Sequence, residues 1–192
     1  MSLVTFIIPT IGRDTLARTL TSLIAQTDPD WDALVIVDSV KEFTFAVDDP
    51  RIFIIRLSDK FGEGHFSGFV RNYGIPLARG RWCGFVDDDD RLDEHYVEWL
   101  RSECSGNDLF VFKMKYSPMR EDSVLILPRS TDVRGMGPAE VGISFAVRKE
   151  FQRQHDLFFP SGEFEDWVFI KSCLDVGARC KISEHVAYYI RH

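Results

Sequence analysis

The chain has 192 residues, 45% hydrophobic and 28% charged, which is the profile of one soluble globular domain able to bury a core without disulfide or metal staples. With 23 Lys+Arg against 30 Asp+Glu, its formal net charge is −7, which excludes general nucleic-acid binding, since that needs a basic surface. No apolar run approaches the roughly 20 residues needed to cross a bilayer, and the N-terminus lacks the basic-then-apolar layout of a signal peptide. Cys83, Cys104, Cys173 and Cys180 show no CxxC spacing and read as reduced thiols of a cytoplasmic protein.

Leu3 to Ile8 is a continuous apolar run rich in β-branched residues, predicting a strand buried on both faces, as in a parallel sheet. The turn Pro9-Thr10-Ile11-Gly12-Arg13 follows. Leu16, Leu20, Leu23 and Ile24 then recur at helical spacing, with Asp14 as a candidate N-cap. Ala33 to Val37 predicts a second buried strand ending at Asp38, and Arg51 to Leu57 a third. Phe66, Phe69, Val70, Tyr73 and Leu77 share one helical face, which predicts a helix that packs its aromatics into the core and ends near Gly80.

Trp82 to Val86 predicts a short strand, and four carboxylates, Asp87 to Asp90, follow it without a break. Adjacent like charges repel by roughly 1 kcal/mol or more per close pair near a surface, so such a cluster needs full solvation or a neutralising cation. Two readings follow. One is a solvated acidic turn in which Asp90 or Asp93 caps the next helix. The other is a metal site at the carboxyl edge of a parallel sheet, where α/β folds bind ligands.

Beyond the acidic run, Leu92 to Cys104 predicts a helix. Leu109–Tyr116 and Val124–Leu127 predict an antiparallel hairpin joined through residues 117–122. Ser130 to Gly142, rich in Gly and Pro, predicts a loop. Ile143–Val147 predicts a strand, Phe164–Val176 a helix closed by Gly177, and His185–Ile190 a last strand. Strand–helix alternation of this kind points to an α/β fold with a mainly parallel sheet and right-handed crossovers.

The ordered motifs resemble those of the family 2 glycosyltransferases. The resemblance is carried by Phe6 to Arg13, Leu20 to Thr27, Val35 to Ser39, Arg71-Asn72-Tyr73-Gly74-Ile75, Ala78-Arg79-Gly80, Phe85 to Asp90, Glu165-Asp166-Trp167 and Tyr188 to His192, and it covers almost the whole chain. It implies a GT-A fold, a Rossmann-like mainly parallel sheet flanked by helices, with a small antiparallel edge. It implies a single domain over 1–192, with a nucleotide-binding half (1–90) and an acceptor-side half (91–192). The implied activity is metal-dependent, inverting transfer of a sugar from a nucleotide-sugar donor to a carbohydrate or other hydroxyl acceptor. One departure stands out: Ser39-Val40-Lys41 replaces the Asp-Gly-Ser turn usual after the second strand.

By that resemblance Asp87 and Asp89 are the ends of a D-x-D motif, and Asp87, Asp89 and His192 are the expected ligands of Mn²⁺ or Mg²⁺, for which carboxylate oxygens are suitable donors. Pro9, Thr10, Arg13, Asp38, Arg71, Asp87 and Asp88 are expected to bind the nucleotide sugar. Asp38, at a strand end, could accept from a base imide N–H and so favour uracil. Arg13 and Arg71 suit phosphate, with an ordinary surface ion pair as the equal alternative. His65 reads as solvent-exposed. Inversion needs a base for the acceptor hydroxyl, and the resemblance assigns Asp166, with Glu165 beside it. Two other readings are a non-catalytic nucleotide-sugar and metal-binding module and a sugar-phosphate nucleotidyltransferase. The latter is disfavoured because the first turn carries only Gly12.

Overall fold

A computed structural model describes residues 2–38, 40, 43, 47–62, 66–116 and 124–190. The first half is a parallel unit. β1 (Val4–Thr10) is buried along its whole length, β2 (Trp31–Val37) pairs with it on one side, β3 (Ile52–Arg56) lies outside β2, and β4 (Trp82–Phe85) lies on the other side of β1. The register Thr10↔Val37 and Ile7↔Phe85 brings the turn after β1, Asp38 and the acidic run to one sheet edge. Helix α1 (Leu16–Ile24) packs Leu16, Leu20 and Leu23 inward. Its N-cap is Thr15, without a side-chain cap bond, rather than Asp14.

Helix α2 (Gly68–Gly74) is where the sequence reading of the core is corrected. Its buried face is Gly68, Val70, Arg71 and Gly74, while Phe66, Phe69, Tyr73 and Leu77 are exposed. The cause is the closeness of helix and sheet. A Cβ on Gly74 would lie 2.6 Å from Ile36 Cδ1, so only glycine lets the helix sit there. A narrow inward stripe of two glycines, Val70 and Arg71 leaves the aromatics on the far side. The helix also stops at Gly74, giving way to a 3₁₀ turn over Ile75–Leu77, well before Gly80.

The second half extends the sheet. A two-residue strand, β5 (Arg91–Leu92), follows the acidic run and precedes α3 (Tyr96–Glu103). The helix therefore starts later than expected and Asp90 does not cap it; Asp93 Oδ1 accepts from the His95 N–H at 3.1 Å instead. β6 (Leu109–Tyr116) and β7 (Leu125–Leu127) form the expected antiparallel pair. β8 (Phe145–Arg148) joins β4 to β6, antiparallel to both, and runs into α4 (Lys149–Gln154). α5 (Glu165–Asp175) is followed by Gly177 at φ +90. β9 (Cys180–Tyr189) is longer than the predicted strand and runs parallel to β6.

The strand order is β3-β2-β1-β4-β8-β6-β9-β5. β4 and β5 are separated only by residues 86–90, yet three strands stand between them. The sheet must therefore curl until its far edge returns to the acidic run. Irregular register between β6 and β9 around Lys113 accompanies that curl. Beneath the run, Phe85, Phe145, Phe159 and Phe169 pack together, with Phe85 edge-on to Phe159 at 5.0 Å and Phe159 stacked on Phe169 at 4.3 Å. Cys83 is buried as expected, and all four cysteines are free. Among the described residues no helix is long and apolar enough to cross a membrane.

Candidate active site

At the carboxyl edge of β1, β2 and β4 lies a cavity of ≈ 480 Å³, whose lining includes Pro9, Thr10, Arg13, Asp38, Phe66 and Asp87 to Asp89. Six of the seven residues expected to bind nucleotide sugar thus meet in one place, although they come from three strand ends. The seventh, Arg71, lies behind the wall.

The acidic run carries its own counterions. Arg13 Nη1 donates to Asp88 Oδ1 at 2.9 Å and to Asp89 Oδ2 at 3.0 Å. Arg71 donates to Asp87 Oδ1. Asp88 is buried, and its Oδ2 accepts from the Thr10 hydroxyl at 2.6 Å. Burial nevertheless dominates and holds the Asp88 carboxyl above the usual range, against the pull of Thr10 and Arg13. The charge problem posed by the sequence is therefore met in large part by two arginines.

Those pairings leave Asp87 Oδ2 and Asp89 Oδ1 without hydrogen bonds among the described residues, and both side chains are partly exposed beside the cavity. Two such hard oxygens suit a divalent cation that takes its remaining ligands from phosphates and water, the usual arrangement for Mg²⁺. No cluster of three His, Cys, Asp or Glu able to hold a metal occurs among the described residues. His192, the expected third ligand, and His65 both lie outside them.

Asp38 is buried at the end of β2, where its two oxygens accept from the backbone N–H groups of Phe61 at 2.7 Å and Gly62 at 2.9 Å. It thus anchors the loop after β3. Each carboxylate oxygen has a second lone pair, so an N–H donor in the cavity can still be met.

Arg71 is a buried cation, not a surface one. Its Nη1 lies 2.5 Å from Glu165 Oε1 and 3.9 Å from Asp166 Oδ1, and its guanidinium sits 5.4 Å from the Phe159 ring centre. Glu165 also accepts from the backbone N–H groups of Ser67 at 3.2 Å and Gly68 at 3.0 Å. A Cβ on Gly68 would fall 2.6 Å from Glu165 Oε2, so glycine is required for that contact. Glu165 is thereby fully engaged in joining α5 to α2.

Asp166 is different. Its Oδ1 is enclosed and makes no hydrogen bond, while the side chain as a whole is 27% exposed. Burial, reinforced by the neighbouring charges of Asp87 and Glu165 and opposed by Arg71, pushes its carboxyl up to about 7. A carboxyl poised near neutrality, next to the arginine that pairs with the cavity-lining Asp87, is a candidate general base.

Two supports escaped the sequence reading. The Tyr188 hydroxyl accepts from the Asp87 N–H at 3.2 Å and hydrogen-bonds Asp90, pinning the acidic run to β9. Burial drives its phenol well above the ordinary value. The Thr19 hydroxyl donates to the Asp90 carbonyl at 2.7 Å. The available signal was a tyrosine and a threonine at core-facing positions, since a buried hydroxyl needs a partner.

The curled sheet with its acidic edge is that of the GT-A glycosyltransferases. The S. aureus TarS fragment 1-349, solved in complex with UDP-GlcNAc, superposes with a TM-score of 0.77 at 19% identity, covering 100% of this chain and 59% of that one. The sequence pattern described as "Glycosyl transferase family 2" matches residues 5–109. The chain belongs to that family. The succinoglycan biosynthesis protein ExoO of Rhizobium meliloti (strain 1021) is 26% identical over 98% of this chain and 60% of its own length. The putative colanic acid biosynthesis glycosyl transferase WcaA of Escherichia coli (strain K12) is 30% identical over 54% of this chain and 36% of its own. The chain therefore spans 60% or less of these relatives.

Proposed function

We propose that this chain transfers a sugar, with inversion, from a uridine diphosphate donor to a hydroxyl acceptor. The observation that carries the reading is the division of labour around Arg71. Its guanidinium neutralises Asp87 on the cavity side and Glu165 on the other, and leaves Asp166 3.9 Å away with an enclosed Oδ1 that accepts no hydrogen bond. The complex of TarS with UDP-GlcNAc supports the donor class.

The donor's nucleotide lies in the cavity, with its base near Asp38 and Thr10. Asp87 and Asp89 hold Mn²⁺ or Mg²⁺, which when bound neutralises the charge of the leaving diphosphate. Asp166 takes the proton of the acceptor hydroxyl, the freed oxygen pair forms the new bond to the anomeric carbon, and the bond to the diphosphate oxygen breaks with its electron pair. Arg71 keeps the two carboxylate groups apart and oriented.

Calorimetry with UDP and UDP-sugars, with and without Mn²⁺, tests the reading. Expected is metal-dependent binding of uridine nucleotides that Asp89→Asn abolishes without unfolding the protein. Equal affinity in the variant and the parent removes Asp89 from the site, and tighter binding of a guanosine or thymidine diphosphate overturns the base assignment.

A further inference from the structure

We infer that Phe164 and Phe66 form an aromatic subsite that takes a pyranose ring of the acceptor, an inference that rests on the glycosyl-transfer reading. Phe164 stands at φ +58, ψ +29, in the left-handed region, directly before α5. That conformation is costly for a bulky L-residue and is met at least cost by glycine or asparagine. Burial does not offset the cost, because the residue is 54% exposed. A strained aromatic that returns nothing to the core points to a role at the surface it occupies.

Its place supplies the role. The turn at Phe164 launches α5, with the Val168 N–H on the Phe164 carbonyl at 2.9 Å, and presents Glu165 and Asp166 in the first turn. Phe66 approaches the same contact from the other chain segment. It precedes Ser67, whose N–H reaches Glu165, and it lines the cavity with Asp87 and Asp88 while remaining 36% exposed. Neither ring has a ring partner among the described residues. One uncovered aromatic thus lines the donor cavity, and the other stands in the chain immediately before Glu165 and the candidate base. Pyranose rings carry an apolar C–H face that packs on aromatic rings and hydroxyls at the rim that reach carboxylates. Apolar walls with a few convergent polar groups are the usual form of a small-molecule site.

The test uses saturation-transfer NMR with the methyl glycosides of glucose, galactose, mannose and N-acetylglucosamine, in the presence of UDP and Mn²⁺. At least one glycoside should bind the parent. Phe164→Leu and Phe164→Gly should weaken that binding by roughly 2- to 10-fold, the range for loss of an aromatic contact, and Phe164→Trp should retain it. UDP affinity should stay unchanged in all three variants, and Phe164→Gly should melt no lower than the parent. Equal glycoside binding in the Leu and Gly variants overturns the inference, as does a parent that binds UDP and none of the glycosides. A parent that fails to bind UDP overturns the reading beneath it.

Discussion

The Arg71 guanidinium and the Glu165 carboxylate, 94 positions apart in the chain, meet at 2.5 Å in the buried wall behind the cavity. This contact ties α2, from the parallel half, to α5, from the other half. It also determines which of the two adjacent acids is hydrogen-bonded: Glu165 is, whereas the Asp166 Oδ1 accepts no hydrogen bond.

Removing the arginine strands buried charge. Arg71→Met is expected to lose about 3–5 kcal/mol of stability, the usual cost of breaking a buried pair by deleting one partner. Urea unfolding measures it, and a midpoint equal to the parent's would show that the pairing contributes nothing to the fold. Glu165→Gln keeps the shape and part of the hydrogen bonding, so its loss should be smaller.

Asp166→Asn keeps size and removes basicity. Donor affinity should remain within a factor of a few, while turnover on a verified acceptor falls by roughly 10²-fold or more. Near-parental turnover would move the base elsewhere, with Glu163 the next carboxylate to test.

The Asp166 carboxyl, raised to about 7, makes a signed pH prediction. A base must be ionised, so transfer should fall as pH drops through about 7, far above the range of an ordinary aspartate. Stability has the opposite slope. The raised group favours the fold fully below its unfolded value, near 3.9, and that contribution is lost as pH rises through 7. Rate profiles and thermal melts at pH 5 to 9 check both, and Asp166→Asn should flatten the melting trend.

Tyr188→Phe removes the hydroxyl that holds the Asp87 N–H and the Asp90 carboxylate. The expected stability loss is about 1–3 kcal/mol, for buried groups left unmatched. Mn²⁺-dependent UDP binding should weaken too, because the acidic run is no longer pinned to β9. Calorimetry on the folded variant reads the second effect, and parental affinity would show that the run holds its shape without the tyrosine.

The sequence by itself determined the parallel half. The apolar runs of β1, β2 and β4 announce strands buried on both faces, and the polar residues that end them, Thr10, Asp38 and Asp87, had to emerge at one edge because parallel strands in register end together. Only the tertiary structure decided how the charges pair and which faces are covered. Arg71 reads as a phosphate-binding cation or a surface ion-pair partner until α5 brings Glu165 to it, and the aromatic stripe of α2 reads as core until Gly74 draws the opposite face against the sheet and Gly68 against Glu165 and Phe159. Periodicity records which residues share a face. It does not record how closely two elements approach; that distance chose the side of α2 that was buried, and the Arg71–Glu165 contact, 94 positions apart in the chain, left Asp166 as the neighbouring acid whose Oδ1 accepts no hydrogen bond.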